Sequence, residues 1–148
     1  MSLVTKIEGW GNAHRPGWLD FFRIALGIFI TYKGFEFMLN IEALESTTAG
    51  MAVMFSAAAV AQYIIFAHAL GGPLLVFGLY TRIVSLIQVP ILIGAVVFVN
   101  YPKGFFSMGN HMELEVSLIV LAGLIVFMVF GGGKFSVDEK RRKDKATA

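Results

Sequence analysis

AAVAQYIIFAHALGGPLLVFGLY (58–80) and IVSLIQVPILIGAVVFVN (83–100), separated only by Thr81 and Arg82, decide the fold. Each has about the 20 apolar residues a helix needs to cross a hydrocarbon core of roughly 30 Å. Two residues allow no long excursion, so the second helix is expected to return antiparallel beside the first as a transmembrane hairpin. Gly71, Gly72 and Pro73 predict a kink in the first of the pair. The apolar run already begins at Met51, 30 residues before the turn. A straight helix of that length would be about 45 Å long, so part of the run must tilt, kink or lie flat.

Working outward, LDFFRIALGIFITYKGFEFML (19–39) predicts an earlier span, with Asp20 suited to cap its start and Arg23, Lys33 and Glu36 inside it. Residues 40–56 pass through Glu42, Glu45 and STTAG, which suits a loop and an interfacial helix. Downstream, YPKGFFSMGNHM (101–112) is a turn, and ELEVSLIVLAGLIVFMVF (113–130) is a last span. Residues 1–18 form a polar arm that places Trp10 and Trp18 at headgroup level. The tail KFSVDEKRRKDKATA (134–148) has almost no apolar content beyond Val137 and is expected to be disordered, setting topology or touching anionic lipid.

The expected fold is therefore all-α, an integral membrane four-helix bundle running up-down-up-down, with helices over 19–39, 58–80, 83–100 and 113–130. One transmembrane domain covers 1–133, and 134–148 is a basic cytoplasmic tail. Four spans put the amino terminus, the 81–82 turn and the carboxyl terminus on one side. That side receives Lys6, Arg15, Arg23, Arg82, Lys134, Lys140, Arg141, Arg142, Lys143 and Lys145, whereas the opposite loops hold Lys103. Because basic loops stay inside, both termini are expected in the cytoplasm, at a bacterial-type inner membrane.

Composition agrees. With 57% hydrophobic and 15% charged residues in 148, the chain is too apolar for an ordinary soluble domain. The basic residues mark topology rather than a nucleic-acid surface. No cysteine occurs, so a disulfide framework, a thiol relay and a Cys-ligated metal are excluded within the chain.

Three segments resemble the DoxX family: FFRIALGIFITYKGFEFML (21–39), GGPLLVFGLYTRIVSLIQV (71–89) and MELEVSLIVLAGLIVFMVFGGGKFSVD (112–138). The first carries Arg23, Gly27, Lys33, Gly34 and Glu36. The family often has a lysine two or three residues after that last glycine, where this chain has Glu36 and Phe37. The second matches a Gly-Leu-x-Thr-Arg turn as Gly78, Leu79, Tyr80, Thr81 and Arg82. The third supplies Glu115, then Gly131, Gly133, Ser136 and Asp138. The resemblance implies a compact four-helix membrane bundle. It also implies redox associations, since relatives include the small subunit of thiosulfate:quinone oxidoreductase and membrane partners of oxidative-stress systems.

Following each helix through the membrane brings Lys33, Glu36, His111, Glu113 and Glu115 to one level in the outer half, near Asn100 and Tyr101. A lysine in hydrocarbon costs about 2.5 to 3.5 kcal/mol on insertion scales, which favours pairing with a carboxylate. The cluster is read either as an interhelical ion-pair lock or as a site that orients a quinone carbonyl, binds an anion or relays a proton. His68 falls near the bilayer midplane. Neither His14 nor His111 reaches that depth, so haem within one chain is not expected, and a neutral imidazole bonded to a helix suits the position better. Three histidines without short ligand spacing give no metal site. Arg23 and Arg82 are read as cytoplasmic-face anchors that cap helices and meet lipid phosphate.

Three functions fit. The first is an accessory subunit of a quinone-linked or other redox process. The second is a non-enzymatic assembly or scaffold protein with a membrane or periplasmic partner. The third, a small-molecule carrier, would need a homo-oligomer for a path. Quinone is the one cofactor class the residues suggest, with no support for flavin, haem or metal, and whether the chain alone is an enzyme stays open.

Overall fold

A computed structural model describes residues 3–14, 16–51, 56–104 and 113–147. Seven α-helices are described: α1 (Leu3–His14), α2 (Leu19–Leu39), α3 (Ile41–Thr48), α4 (Ala57–Phe77), α5 (Thr81–Gly94), α6 (Glu113–Phe130) and α7 (Val137–Thr147). α5 continues through a more loosely wound π-helical stretch, Ala95–Asn100, beyond Pro90. Three helical segments are long and apolar enough to cross a membrane: Ala57–Phe77, Thr81–Lys103 and Glu113–Phe130. A fourth arises if α2 and α3, bent by 99° at Asn40, count as one span. Asp20, Arg23, Lys33 and Glu36 give α2 more charged residues than any of those three segments.

The burial pattern is that of a protein dissolved in lipid. Phe21, Phe66, Leu70 and Ile119 are exposed, whereas Arg23, Thr81, Ser85 and Gln88 are among the most completely buried side chains. In water that exposed surface would be an aggregation hazard; against acyl chains it is the proper solvent-facing side. The protein is a multi-pass membrane protein in contact with the bilayer.

The boundaries between α4 and α5 differ from the sequence reading. α4 ends at Phe77 rather than 80, and α5 starts at Thr81 rather than 83, so Thr81 and Arg82 open a helix instead of forming the turn. Gly78, at φ +66, is the cause. Its N–H donates to the Leu75 carbonyl at 3.1 Å, and the Leu79 N–H donates back to Leu74 at 2.9 Å, a Schellman end that stops α4 one turn early. Pro73 lies inside α4, which continues to Phe77. The tail is also corrected: Ser136 accepts the Glu139 N–H at 3.1 Å and starts α7, so 137–147 is helical rather than disordered.

α2 and α4 approach closely because glycine sits at their contacts. A Cβ on Gly27 would lie 2.7 Å from the Val76 nitrogen and 2.9 Å from the Gly72 carbonyl oxygen, and one on Gly34 would lie 2.7 Å from the Ala69 nitrogen. Gly72 in turn faces Thr31, whose hydroxyl donates to the Gly27 carbonyl at 2.7 Å. Small residues thus do the work that hydrophobic burial cannot do in lipid. At the start of the chain, α1 rests on α6, with Gly11 against the Val129 carbonyl and the Trp10 ring 5.5 Å from that of Phe130.

Gly27→Ala is expected to lower stability in detergent by about 1–3 kcal/mol, because the obstructing atoms are backbone and cannot swing away. Gly9→Ala, with nothing within 4 Å of the added methyl, should leave the unfolding midpoint unchanged or slightly raised. Thermal unfolding followed by circular dichroism distinguishes the two.

Candidate functional site

Two constellations of charged and polar residues stand out among the described residues. The first is a clasp where α2 and α5 begin and α4 and α6 end. Arg23, only 1% exposed, donates from Nη1 to the Leu75 and Val76 carbonyls at 2.7 and 2.9 Å, and from Nη2 to Asp20 Oδ1 at 3.3 Å. A cation at the last turn of α4 meets both its free carbonyls and the negative end of its dipole. Asp20 also accepts the N–H groups of Lys134 and Phe135 at 3.0 and 3.3 Å. It therefore caps the segment after α6 and makes no side-chain cap on its own helix, a correction of the sequence reading.

Asp138 closes the clasp from the other side. Its two carboxylate oxygens accept the Tyr80 and Thr81 N–H groups, each at 2.8 Å, and its own N–H donates to the Gly78 carbonyl at 3.0 Å. α5 has no side-chain cap of its own, so Asp138 caps it from 57 residues away. That bond also holds Tyr80 in its left-handed conformation, φ 51. Arg82 joins α1, α5 and α6: it pairs with Glu8 at 3.1 Å and donates to the Asn12 side chain and the Val129 carbonyl. Both arginines thus turn to protein acceptors. An inward guanidinium satisfies several donors at once. On α7 the buried Glu139 takes a bidentate bond from Arg142, at 2.9 and 2.7 Å, which raises the Arg142 pKa above its ordinary value.

The second constellation lies on the face between α2 and α4. Lys33 Nζ donates to Glu36 Oε2 at 2.8 Å and stands 6.0 Å from the centre of the Phe37 ring. That ring packs edge-on against His68, centroids 5.4 Å apart. His68 is buried, and its Nδ1 lies 2.9 Å from the Ile64 carbonyl oxygen. Since a carbonyl only accepts, Nδ1 carries the proton and Nε2 is left as an acceptor. The structure therefore brings Lys33, Glu36 and His68 together, which the sequence reading had kept as two sites. Glu113 pairs with Lys103 across the connection before α6. Glu115 is half-buried on α6, and His111 lies outside the described residues. Nearby, Asn100 donates to Ser117, a buried link between the π-helical stretch and α6 that sequence reasoning had only placed by depth.

Sequence reasoning missed a third feature. Thr81, Ser85 and Gln88 are wholly buried on α5, and the Thr81 hydroxyl, the Ser85 hydroxyl and both ends of the Gln88 carboxamide find no hydrogen-bond partner among the described residues. Their spacing of four and three residues, one helical face, was the available signal.

The family model for DoxX matches residues 18–101, from the start of α2 to the end of the π-helical stretch. The chain belongs to the DoxX family. No curated protein and no solved structure matches it. Within this DoxX protein the Gly78–Arg82 turn and the later Gly131, Gly133, Ser136 and Asp138 meet in one place: a Cβ at Gly78 would collide with Arg23, and one at Gly133 with Asp20. The motif residues build the clasp.

Arg23→Met should cost this DoxX protein about 3–5 kcal/mol, because it leaves the buried Asp20 without its cation. Asp138→Ala should cost about 1–2 kcal/mol, the value of a lost helix cap. Chemical unfolding in mixed micelles gives both, and Arg23→Met costing no more than Asp138→Ala would contradict the ordering.

Proposed function

We propose that this DoxX protein is an accessory subunit of a quinone-linked redox process in the bacterial inner membrane, and that the α2–α4 face around His68 receives the quinone headgroup. The observation that carries this is the convergence of Lys33, Phe37 and His68. Lys33 offers a charged donor to a carbonyl oxygen, His68 Nε2 offers an acceptor to a hydroxyl, and Phe37 supplies a flat apolar wall between them. Glu36 holds the ammonium in place and offsets its charge. A quinone, when bound, supplies reversible two-electron chemistry; this chain's part is to bind and orient it, and the electrons pass through a partner protein. A scaffold role is the second reading, favoured by the clasp, where Asp20, Arg23 and Asp138 are all committed to holding backbone.

The membrane arrangement proposed with it is an up-down-up-down bundle of four spans over 1–133, both termini and the basic tail 134–148 in the cytoplasm. Arg82 at the start of α5 and the basic residues of α7 support that side as the inner one.

Titration of the nanodisc-embedded protein with a short-chain quinone should show saturable binding, weakened tenfold or more by Lys33→Met and by His68→Leu, while Lys145→Ala binds as the parent does. Equal affinity in all four proteins would remove the quinone site, and a stoichiometric co-purifying membrane protein without quinone would leave the scaffold. The absence of native cysteine makes topology directly testable. In intact cells Lys103→Cys should react with an impermeant maleimide, and Lys145→Cys should react only after lysis; the reverse pattern would invert the orientation.

A further inference from the structure

A cavity of about 250 Å³ opens at the clasp between α1, the start of α5 and the start of α7, with Gly131 and Gly132 at its edge. It lies where membrane spans end: one span begins at Thr81 and another stops at Phe130, each next in sequence to lining residues. Its charges are mixed. Glu8, Asp138 and Glu139 bring three carboxylates, Arg82 and Arg142 bring two guanidiniums, and the lining carries one negative charge in excess. Arg82 is committed to Glu8, to the Asn12 side chain and to the Val129 carbonyl. Arg142, more than half exposed, gives Nε and Nη2 to Glu139, which leaves the Nη1 edge of its fork outside that pair. The carboxylates have acceptor capacity to spare. Each Asp138 oxygen takes one backbone N–H, whereas a carboxylate offers about four lone-pair sites. Glu8 meets Arg82 through Oε1 and keeps its side chain 45% exposed. A cation can therefore enter without displacing a bond of the clasp.

We propose that this cavity binds a phosphoethanolamine headgroup, with its primary ammonium between Glu8 and Asp138 and its phosphate on the outer edge of Arg142. A primary ammonium brings three N–H donors to a site rich in unused carboxylate lone pairs. A headgroup that is only anionic would meet three carboxylates with no cation of its own to offset them. A choline headgroup fits no better, because a quaternary ammonium donates no hydrogen bond and is held by aromatic faces instead. Tyr80 is the lining aromatic, and the Arg141 guanidinium already stands 5.3 Å from the centre of its ring. The place of the cavity at the span ends makes a membrane lipid the source. The exposed Trp10 ring, packed against Phe130, suits the same level, since indoles gather at the headgroups. Bound there, one lipid bridges α1 and α7 through their carboxylates. This site is separate from the α2–α4 face and does not depend on a quinone binding there.

The test is native mass spectrometry of the full chain in detergent, titrated with lipids of identical acyl chains. Phosphatidylethanolamine, its N-methyl and N,N-dimethyl forms, phosphatidylcholine and phosphatidylglycerol are compared. The first phosphatidylethanolamine should bind roughly tenfold tighter than phosphatidylcholine or phosphatidylglycerol, the scale of one charge-assisted hydrogen bond, with affinity falling at each methylation. Glu8→Gln should abolish that preference, whereas Glu42→Gln, the same change at an exposed position of α3, should keep it. Equal binding of all five lipids, tighter binding of phosphatidylglycerol, or an unchanged preference in Glu8→Gln would overturn the proposal. The methylation series needs only the parent chain, so the comparison stands if Glu8→Gln fails to fold. Soluble glycerophosphoethanolamine separates the sources: weak competition supports a lipid, and competition equal to that of the lipid overturns the lipid assignment in favour of a soluble ligand with the same headgroup.

Discussion

A guanidinium buried at the end of a membrane helix has to find acceptors inside the protein, and the way Arg23 does so organises the rest of the clasp. Its fork reaches across from α2 to the last carbonyls of α4, groups that the end of any helix leaves free. Asp20, one turn earlier, balances the charge and has acceptor capacity to spare. It uses that capacity on the chain leaving α6. One arginine thereby ties the first span to the second and, through its counter-ion, to the segment after the last. Gly78 and Gly133 follow from this, since each lies where a side chain would strike Arg23 or Asp20.

The same logic explains why polar side chains are buried beside the apolar core while large apolar ones face outward. In lipid, apolar side chains gain little by facing inward, so packing relies on close backbone approach and on polar groups that find each other. Gly27, Gly34 and Gly72 provide the approach between α2 and α4, whereas Gly71 is used differently, to admit the end of Gln88. A buried carboxamide or hydroxyl without a partner costs about 1–3 kcal/mol. Three such residues on one face of α5 are a burden the fold would shed if shape alone mattered, because leucine and alanine would fill those positions.

The spans were legible from apolar run length, and α2 and α6 fall at the predicted residues because charged or breaker residues bound them. The α4–α5 boundary was less legible: Gly78, Leu79 and Tyr80 read as the end of an apolar run, and only the left-handed turn at Gly78 shows that the helix has stopped. Asp20 sits where a helix cap belongs, yet the N–H groups it caps are 114 and 115 residues away, and no local pattern announces such a contact. The tail looked too polar to order because its anchor, Asp138 on the start of α5, is also remote in sequence. Lys33 and Glu36 were legible as a pair at helical spacing, but their junction with His68 depends on Phe37, one of fourteen phenylalanines and indistinguishable from lipid-facing ones by sequence.

The division of labour that emerges bears on what the family's motifs mean. Arg23, the Gly78–Arg82 turn, Ser136 and Asp138 carry the resemblance to DoxX proteins, and each is committed to backbone or to a neighbouring charge at the clasp. Residues so committed cannot also release a donor to a ligand without loosening helix ends, so chemistry at those positions would be bought with stability. Lys33, His68 and Ser85 lie outside the clasp, and so does Gln88, whose carboxamide fills the space beside Gly71. A fold held at one end by architecture and lined elsewhere by adjustable polar groups can keep its shape while the groups facing α4 are altered. The residues that carry the resemblance therefore describe how the clasp is held, and they leave His68, Ser85 and Gln88 outside that task.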